Sequence, residues 1–245
     1  MKNQNNIDPL ELLLEKYNFN LRKINKLITG AKYTAILLKN GNIGVCANLG
    51  YKINTEINTY SNLNLENFSH RIVLNAYFNA LLNYSNKLNG IGDIFETINF
   101  RRYKQIVMIG LFKPIVKKFQ ENNIPITVFD YRKSDSFLAS NFKQKQYIKE
   151  ADAIILTSTS IFNSTFLNII NNTNDNCEIF MLGPSSIMTQ DILQYKNIKM
   201  IFGSNFNKFD RRVLDVIQND GGTRKFLKFG KKIISKREVF FENIS

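Results

Sequence analysis

The chain has 245 residues, which fits one large domain or two small ones. Hydrophobic residues make up 44%, enough for a full core, and 20 Phe carry most of the aromatic bulk where Trp is absent. A formal net charge of +13 attracts phosphate-bearing ligands, nucleic acid or acidic partners, but selects no fold, and no arginine-rich arm supports a dedicated nucleic-acid binder.

The first predicted element is a helix over 9–20. Leu10, Leu13, Leu14 and Tyr17 fall at helical spacing, Asp8 is placed to cap it and Pro9 suits its first position. Two strands, Ala31–Leu38 and Ile43–Ala47, flank Asn40-Gly41 and predict a hairpin. Residues 51–66 are polar and without period. Phe68–Tyr84 predicts a helix with a broad apolar face that includes Ile72, Ala76 and Phe78. Asn89-Gly90-Ile91-Gly92 marks a connection, Asp93–Asn99 a short helix, and the domain boundary is expected near Asn99.

From there short apolar runs alternate with helical stretches. Strands are predicted at Gln105–Ile109, Ile126–Phe129, Ala153–Leu156, Ile179–Leu182 and Lys199–Phe202, the last ending at Gly203. Helices are predicted at Pro114–Asn122, Phe142–Lys149, Ser164–Ile170, Thr189–Tyr195 and Phe209–Gln218. Such alternation predicts a parallel sheet with right-handed crossovers. After Gly221-Gly222 the tail offers a further strand at Phe226–Phe229 or Ile233–Ile234.

Two strand ends carry small polar residues. One is Gly183-Pro184-Ser185-Ser186, the other Thr157-Ser158-Thr159-Ser160 with Asn163-Ser164-Thr165 behind it. In a parallel sheet, ligands bind outside the carboxyl ends of the strands. Hydroxyls, amides and backbone N–H groups there suit an anion or a ring edge, though Asn163 also suits a helix cap. Gly110 and Phe112 follow the first strand, and Asp130 ends the second. The interval of about 20 residues from Gly110 to Asp130 is the one at which an acid reads a ribose. No G-x-G-x-x-G is present and Phe112 would crowd a pyrophosphate, which disfavours NAD but leaves an adenosyl or nucleotide ligand open. The alternative for Asp130 is a surface pairing with Arg132 or Lys133.

The soft metal ligands are His70, Cys46 and Cys177, with no close pair among them. Direct chelation would need oxygen ligands or a second subunit; a metal already held in a tetrapyrrole would need less. With His70 as the sole histidine, a nucleophilic hydrolase is disfavoured. Two distant cysteines make no disulfide framework and suit a reducing cytoplasm. The first residues, acidic among their leucines, do not form a secretory signal, and no apolar run approaches the ~20 residues of a membrane span. A cytoplasmic location is expected. The basic run Arg224–Arg237 reads as a solvated face. Asn, Ile and Lys are abundant throughout, which lowers what any single Asn signifies.

In order along the chain, Gly30-Ala31-Lys32-Tyr33-Thr34-Ala35, Asn79-Ala80-Leu81-Leu82, Met108-Ile109-Gly110-Leu111-Phe112 with Pro114, Glu150-Ala151-Asp152, Leu156-Thr157, Asn163-Ser164-Thr165, Leu182-Gly183-Pro184-Ser185-Ser186, Gly203 and Gly221-Gly222 resemble a family named for heavy-metal chelation. The resemblance implies an α/β protein: an α+β domain like the N-terminal domain of enolase over 1–99, then a Rossmann-like domain over 100–245. It implies a cleft between them, which Lys32, Tyr33 and Asn79 of the first domain would face, and an association with anaerobic metal or tetrapyrrole metabolism such as corrinoid synthesis. Ser158 stands where the family often has Gly. The expected partner is a small anionic molecule or metallocofactor, with a homodimer open; the alternatives are a nonenzymatic metal carrier and, last, a nucleic-acid binder.

Overall fold

The computed structural model of the chain describes residues 4–84, 90–132 and 134–238. Asn89 of the predicted connection and Lys133, one proposed partner of Asp130, lie outside them.

Helix α1 (Pro9–Tyr17) begins as expected. The Asp8 carboxylate accepts the N–H of Leu10 at 2.9 Å and Pro9 occupies the first turn. The helix stops earlier than predicted, at Asn18, whose φ of 55° cannot continue it. Strands β1 (Ile24–Thr29), β2 (Tyr33–Leu38) and β3 (Ile43–Ala47) follow as an antiparallel sheet in the order β1-β2-β3. The last two form the expected hairpin. The first was not expected: its register shifts between Ile24 and Lys26, which destroys the alternation that marks a strand in sequence.

Helix α2 (Phe68–Leu82) is capped by Asn67, which accepts the Ser69 N–H at 2.9 Å. Every residue from Arg71 to Ala80 is buried, because the helix has protein on both sides. On one side β3 presses against it at Gly44, where a Cβ would lie 2.1 Å from the Ala76 carbonyl oxygen. On the other side lies the second sheet's unit. Arg71, buried, donates to the carbonyls of Ile161 and Phe162, each at 2.7 Å, and pairs with Asp8 at 2.7 Å. A buried guanidinium survives only when so fully partnered.

The second unit comprises β4 (Gly90–Ile91), α3 (Ile94–Thr97), β5 (Ile106–Ile109), α4 (Lys113–Glu121), β6 (Thr127–Phe129), α5 (Gln144–Glu150) and β7 (Ala153–Thr157). It continues through α6 (Thr159–Phe162), α7 (Phe166–Asn171), β8 (Glu178–Leu182), α8 (Gln190–Leu193) and β9 (Ile198–Phe206). It closes with α9 (Arg211–Gln218), α10 (Thr223–Phe226) and β10 (Gly230–Lys236). The seven strands run β4-β10-β9-β8-β7-β5-β6. The five from β9 to β6 are parallel, and β10 lies antiparallel between β9 and β4. The expected α/β alternation is therefore present. Two details differ: β9 does not end at Gly203 but runs on to Phe206, because β10 pairs along that whole length, and Phe226 ends a helix while the tail strand takes the Ile233–Ile234 option.

The chain places β6 on one side of β5 and then crosses to put β7 on the other. Strand order reverses there, so the carboxyl ends of β5 and β7 frame a topological switch point. One apolar core joins both units, with Ile36 and Tyr77 of the first in the same cluster as Val107, Leu156 and Met181 of the second.

Candidate functional site

A cavity of about 420 Å³ opens at the switch point. Gly110 and Phe112 enter it from the end of β5, Asp130 from β6, Thr157, Ser158 and Thr159 from β7, and Gly183, Pro184 and Ser185 from β8. Asn163 and Thr165 close it near α7, and Tyr33 reaches it from the first unit. Twelve predicted residues thus converge. Four lie elsewhere: Lys32 is exposed beside Gly222, Asn79 and Ser186 are fully buried, and Gly203 sits in β9 against Met188 and Ser186. Ala47, Leu49, Tyr131, Arg132, Gln144 and Asn168 also line the cavity. Of these only Arg132 was singled out, as a partner for Asp130. Gln144 opens a polar helix and carries no pattern; burial alone distinguishes it.

The β8 wall is fixed by neutral hydrogen bonds to α2. Asn75 donates to the Ser185 carbonyl at 3.0 Å; Asn79 donates to Pro184 and Ser186 at 3.0 and 2.7 Å; Asn83 donates to Ser186 and Ser204 at 2.9 and 3.1 Å. On their other atoms Asn79 accepts from the Val45 N–H and Asn83 from that of Met188. These asparagines stand at i, i+4 and i+8, one face of the helix. Ser185 Oγ accepts the Ala47 N–H at 3.0 Å, and Ser186 Oγ donates to the Phe202 carbonyl at 2.9 Å while meeting Ser158 Oγ. Neither hydroxyl is free: that of Ser185 joins the two units, and that of Ser186 ties its loop to β9 and to the end of β7 within the second.

The β5 and β6 wall is tied by a carboxylate. Asp130 accepts the N–H groups of Leu111 and Arg132, each at 2.8 Å, rather than pairing with the Arg132 guanidinium. Lys113 reaches Asp135 at 2.8 Å across the same two loops. Gly110, at φ 91°, lets β5 and β7 converge, since a Cβ there would lie 2.6 Å from the Thr157 Cβ. The Phe112 ring faces Gly183 and takes the place where a glycine-rich turn would admit a diphosphate. The Thr157 and Thr159 hydroxyls meet at 3.0 Å. Asn163 accepts from the N–H and hydroxyl of Thr165, so it holds the turn ahead of α7. Tyr33 pairs with the Thr223 hydroxyl at 2.7 Å, and burial pushes its phenol above the usual range.

A wider, open depression of about 560 Å³ lies at the amino ends of β5 and β6, between Gln105, Pro125 and Glu150. It has neither the switch-point position nor a second unit closing over it, so the carboxyl-edge cavity is the stronger candidate.

The donor set does not fit a metal cage. Among the described residues no three His, Cys, Asp or Glu gather around a point. The Cys46 thiol is buried and pushed well above its usual range by desolvation. That of Cys177 is raised to about 12 by burial and by the Asp152 and Glu178 carboxylates. His70 accepts the Asn64 N–H on Nδ1 at 3.1 Å, and burial lowers its pKa. Within the basic run, Lys232 pairs with Asp93, and Arg237 donates to the Leu193 and Tyr195 carbonyls. Among the described residues no helix is long and apolar enough to cross a membrane.

A three-stranded α+β unit closing over the switch point of a Rossmann-like sheet defines a two-unit α/β class. Residues 93–236 match the profile of the family described as "putative heavy-metal chelation", DUF364, and the chain belongs to that family. The solved structures that share the fold include two from the same family. A DUF364 protein of unknown function from Pyrococcus horikoshii aligns with a TM-score of 0.74 at 20% identity, over 93% of this chain and 97% of its own. Another, from Desulfitobacterium hafniense DCB-2, aligns with a TM-score of 0.69 at 13% identity, over 87% of this chain and 91% of its own. No curated protein matches the sequence.

Proposed function

We propose that the protein binds a small anionic metabolite, of nucleotide or adenosyl size, in the cavity between its two units. The observation that carries this reading is the convergence of twelve residues from both units on one cavity at the switch point. Its volume is near the lower end of the roughly 300–1,000 Å³ typical of small-molecule sites. Leu49, Phe112 and Ile169 offer a face for a ring; Thr157, Thr159 and Asn163 offer hydrogen bonds to its edge. The absence of a glycine-rich first turn favours a single phosphate or carboxylate over a dinucleotide.

The family description, heavy-metal chelation, favours a second reading, a nonenzymatic carrier of a metal or metallocofactor; for either reading, a place in anaerobic metal or tetrapyrrole (corrinoid) metabolism rests on the sequence resemblance alone. Under it the metal arrives already ligated, because the described residues supply no cage. Thiol titration of native protein separates this from chelation through a thiolate: both cysteines are buried, so neither is expected to react with a mercurial until the protein unfolds. Reaction of either thiol in the native state would restore a thiolate as a metal ligand.

The test of the main reading is a thermal-shift screen of nucleoside monophosphates, dicarboxylates and corrinoids on anaerobically purified protein. The screen is repeated on Asn168→Trp, which fills the cavity from an exposed helical position. Ligands that stabilise the native protein and not the variant support the reading. Ligands that stabilise both equally place binding elsewhere.

A further inference from the structure

Gln144 opens α5 and lies against the cavity with 8% of its surface exposed. Its carbonyl oxygen accepts the Tyr131 hydroxyl at 3.1 Å, which holds the amide in one orientation. Its amide nitrogen is buried and has no partner among the described residues. A buried donor left unpaired is destabilising, and such groups are uncommon in folded proteins. On the same cavity the Asp130 carboxylate and the Asn163 amide oxygen are satisfied by their own loops; this buried amide nitrogen is not.

A second feature lies on the same side. Helix α4 starts at the cavity with Phe112 as its cap residue and no side-chain cap, and its first turn holds no acid. Pro114 has no N–H and the Ile115 N–H turns back to the Phe112 carbonyl at 2.9 Å, so the positive end of this nine-residue helix is open at the Lys113 N–H. The two features share a scaffold: Asp130 binds Leu111 to the loop that carries Tyr131, and Lys113 of α4 pairs with Asp135 of that loop. Arg132 lines the mouth with its guanidinium beside Gly50 of the first unit.

We infer that the corner between Gln144 and the amino end of α4 receives the oxyanion of the ligand, a phosphate monoester or carboxylate, with the Gln144 amide as the donor that orients it. This rests on the cavity being the ligand site. An acceptor-only oxyanion satisfies both the unpaired amide and the open helix end, whereas a cation or a neutral donor satisfies neither. Gln144 is then a specificity residue, and Tyr131 positions it.

The experiment compares AMP with adenosine by calorimetric titration of the full chain and its Gln144→Leu, Gln144→Glu and Tyr131→Phe variants. Native protein is expected to prefer AMP. Gln144→Leu should weaken AMP about tenfold, the value of one charge-assisted hydrogen bond, while leaving adenosine nearly unchanged. Gln144→Glu should weaken AMP further through charge repulsion, and Tyr131→Phe should weaken it less than Gln144→Leu. Gln144→Leu should melt close to the native protein, since it removes an unpaired buried donor together with one hydrogen bond from the largely exposed Tyr131. An AMP preference that persists in Gln144→Leu overturns the inference, as does equal binding of AMP and adenosine. If those equal affinities are both lost in Asn168→Trp, the cavity stands and only the corner is wrong. Absence of AMP binding also overturns it, and the cavity reading then rests on the wider metabolite screen.

Discussion

The two walls of the cavity are built by different means. The β8 wall is held by Asn75 and Asn79 of α2 and by Asn83 at its carboxyl-end cap, buried neutral side chains each bonded to backbone groups of the loop they face. The β5–β6 wall is held by the Asp130 carboxylate and an ion pair of which the Lys113 partner is largely exposed. Tyr131, at its rim, is 68% exposed. A buried neutral ladder is insensitive to salt and pH, and costly to break. An exposed ionic tie is weak and screened. The serine-rich loop, the stretch most suggestive of a phosphate cradle in sequence, is therefore the rigid joint of the protein. The adaptable side of the cavity lies opposite.

The largest test of this contrast is Asn79→Ala. It strands the Val45 N–H and the Pro184 and Ser186 carbonyls in the interior, and a loss of about 3 kcal/mol or more is expected in urea unfolding. A loss near zero would mean that the ladder does not hold the wall. Asp130→Ala should cost less, about 1–2 kcal/mol, since the freed N–H groups of Leu111 and Arg132 are only part-buried or exposed. Its signature is local: faster amide exchange at those two residues with the α2 amides unchanged.

Charge gives a third test. Burial alone would raise the Asp93 carboxyl, but hydrogen bonds from Lys232, the Phe95 N–H and Lys118 outweigh it and hold its pKa at about 2. A carboxyl depressed on folding contributes stability above its unfolded value, near 4, and loses it as pH falls toward about 2. The urea midpoint should therefore drop through that window, and Asp93→Asn should flatten the slope there. The Asn75–Asn83 seam has no group that titrates in the same range. The smallest effect belongs to Lys113→Ala, about 0.5 kcal/mol at low salt and nothing measurable at high salt. A salt-independent loss would show that Lys113 acts through packing.

Much of this was legible in the sequence. Alternating apolar runs gave the parallel sheet, because each β-strand–helix unit repeats the same short period. Small polar residues at strand ends marked the cavity, because such residues suit strand-to-helix turns at that edge. The rest was hidden for physical reasons. β1 escaped because its register shift breaks alternation. The i, i+4, i+8 asparagines were obscured by a chain rich in Asn, where one more amide carries little information. Whether Ser185 and Ser186 face a ligand or the other unit depends on domain packing, which no local pattern encodes. Gln144 became visible only as a buried amide without a partner.

Hydrogen-exchange mass spectrometry with and without saturating AMP tests most directly whether ligand enters between a fixed wall and an adaptable one at the switch point. New protection is expected at the start of α4, in the loop from Asp130 to Gln144 and near Asn163, with Ser185, Ser186 and α2 equally protected in both states. Protection confined to the amino-end depression around Gln105 and Pro125, or no change at the cavity, would contradict that mode of entry.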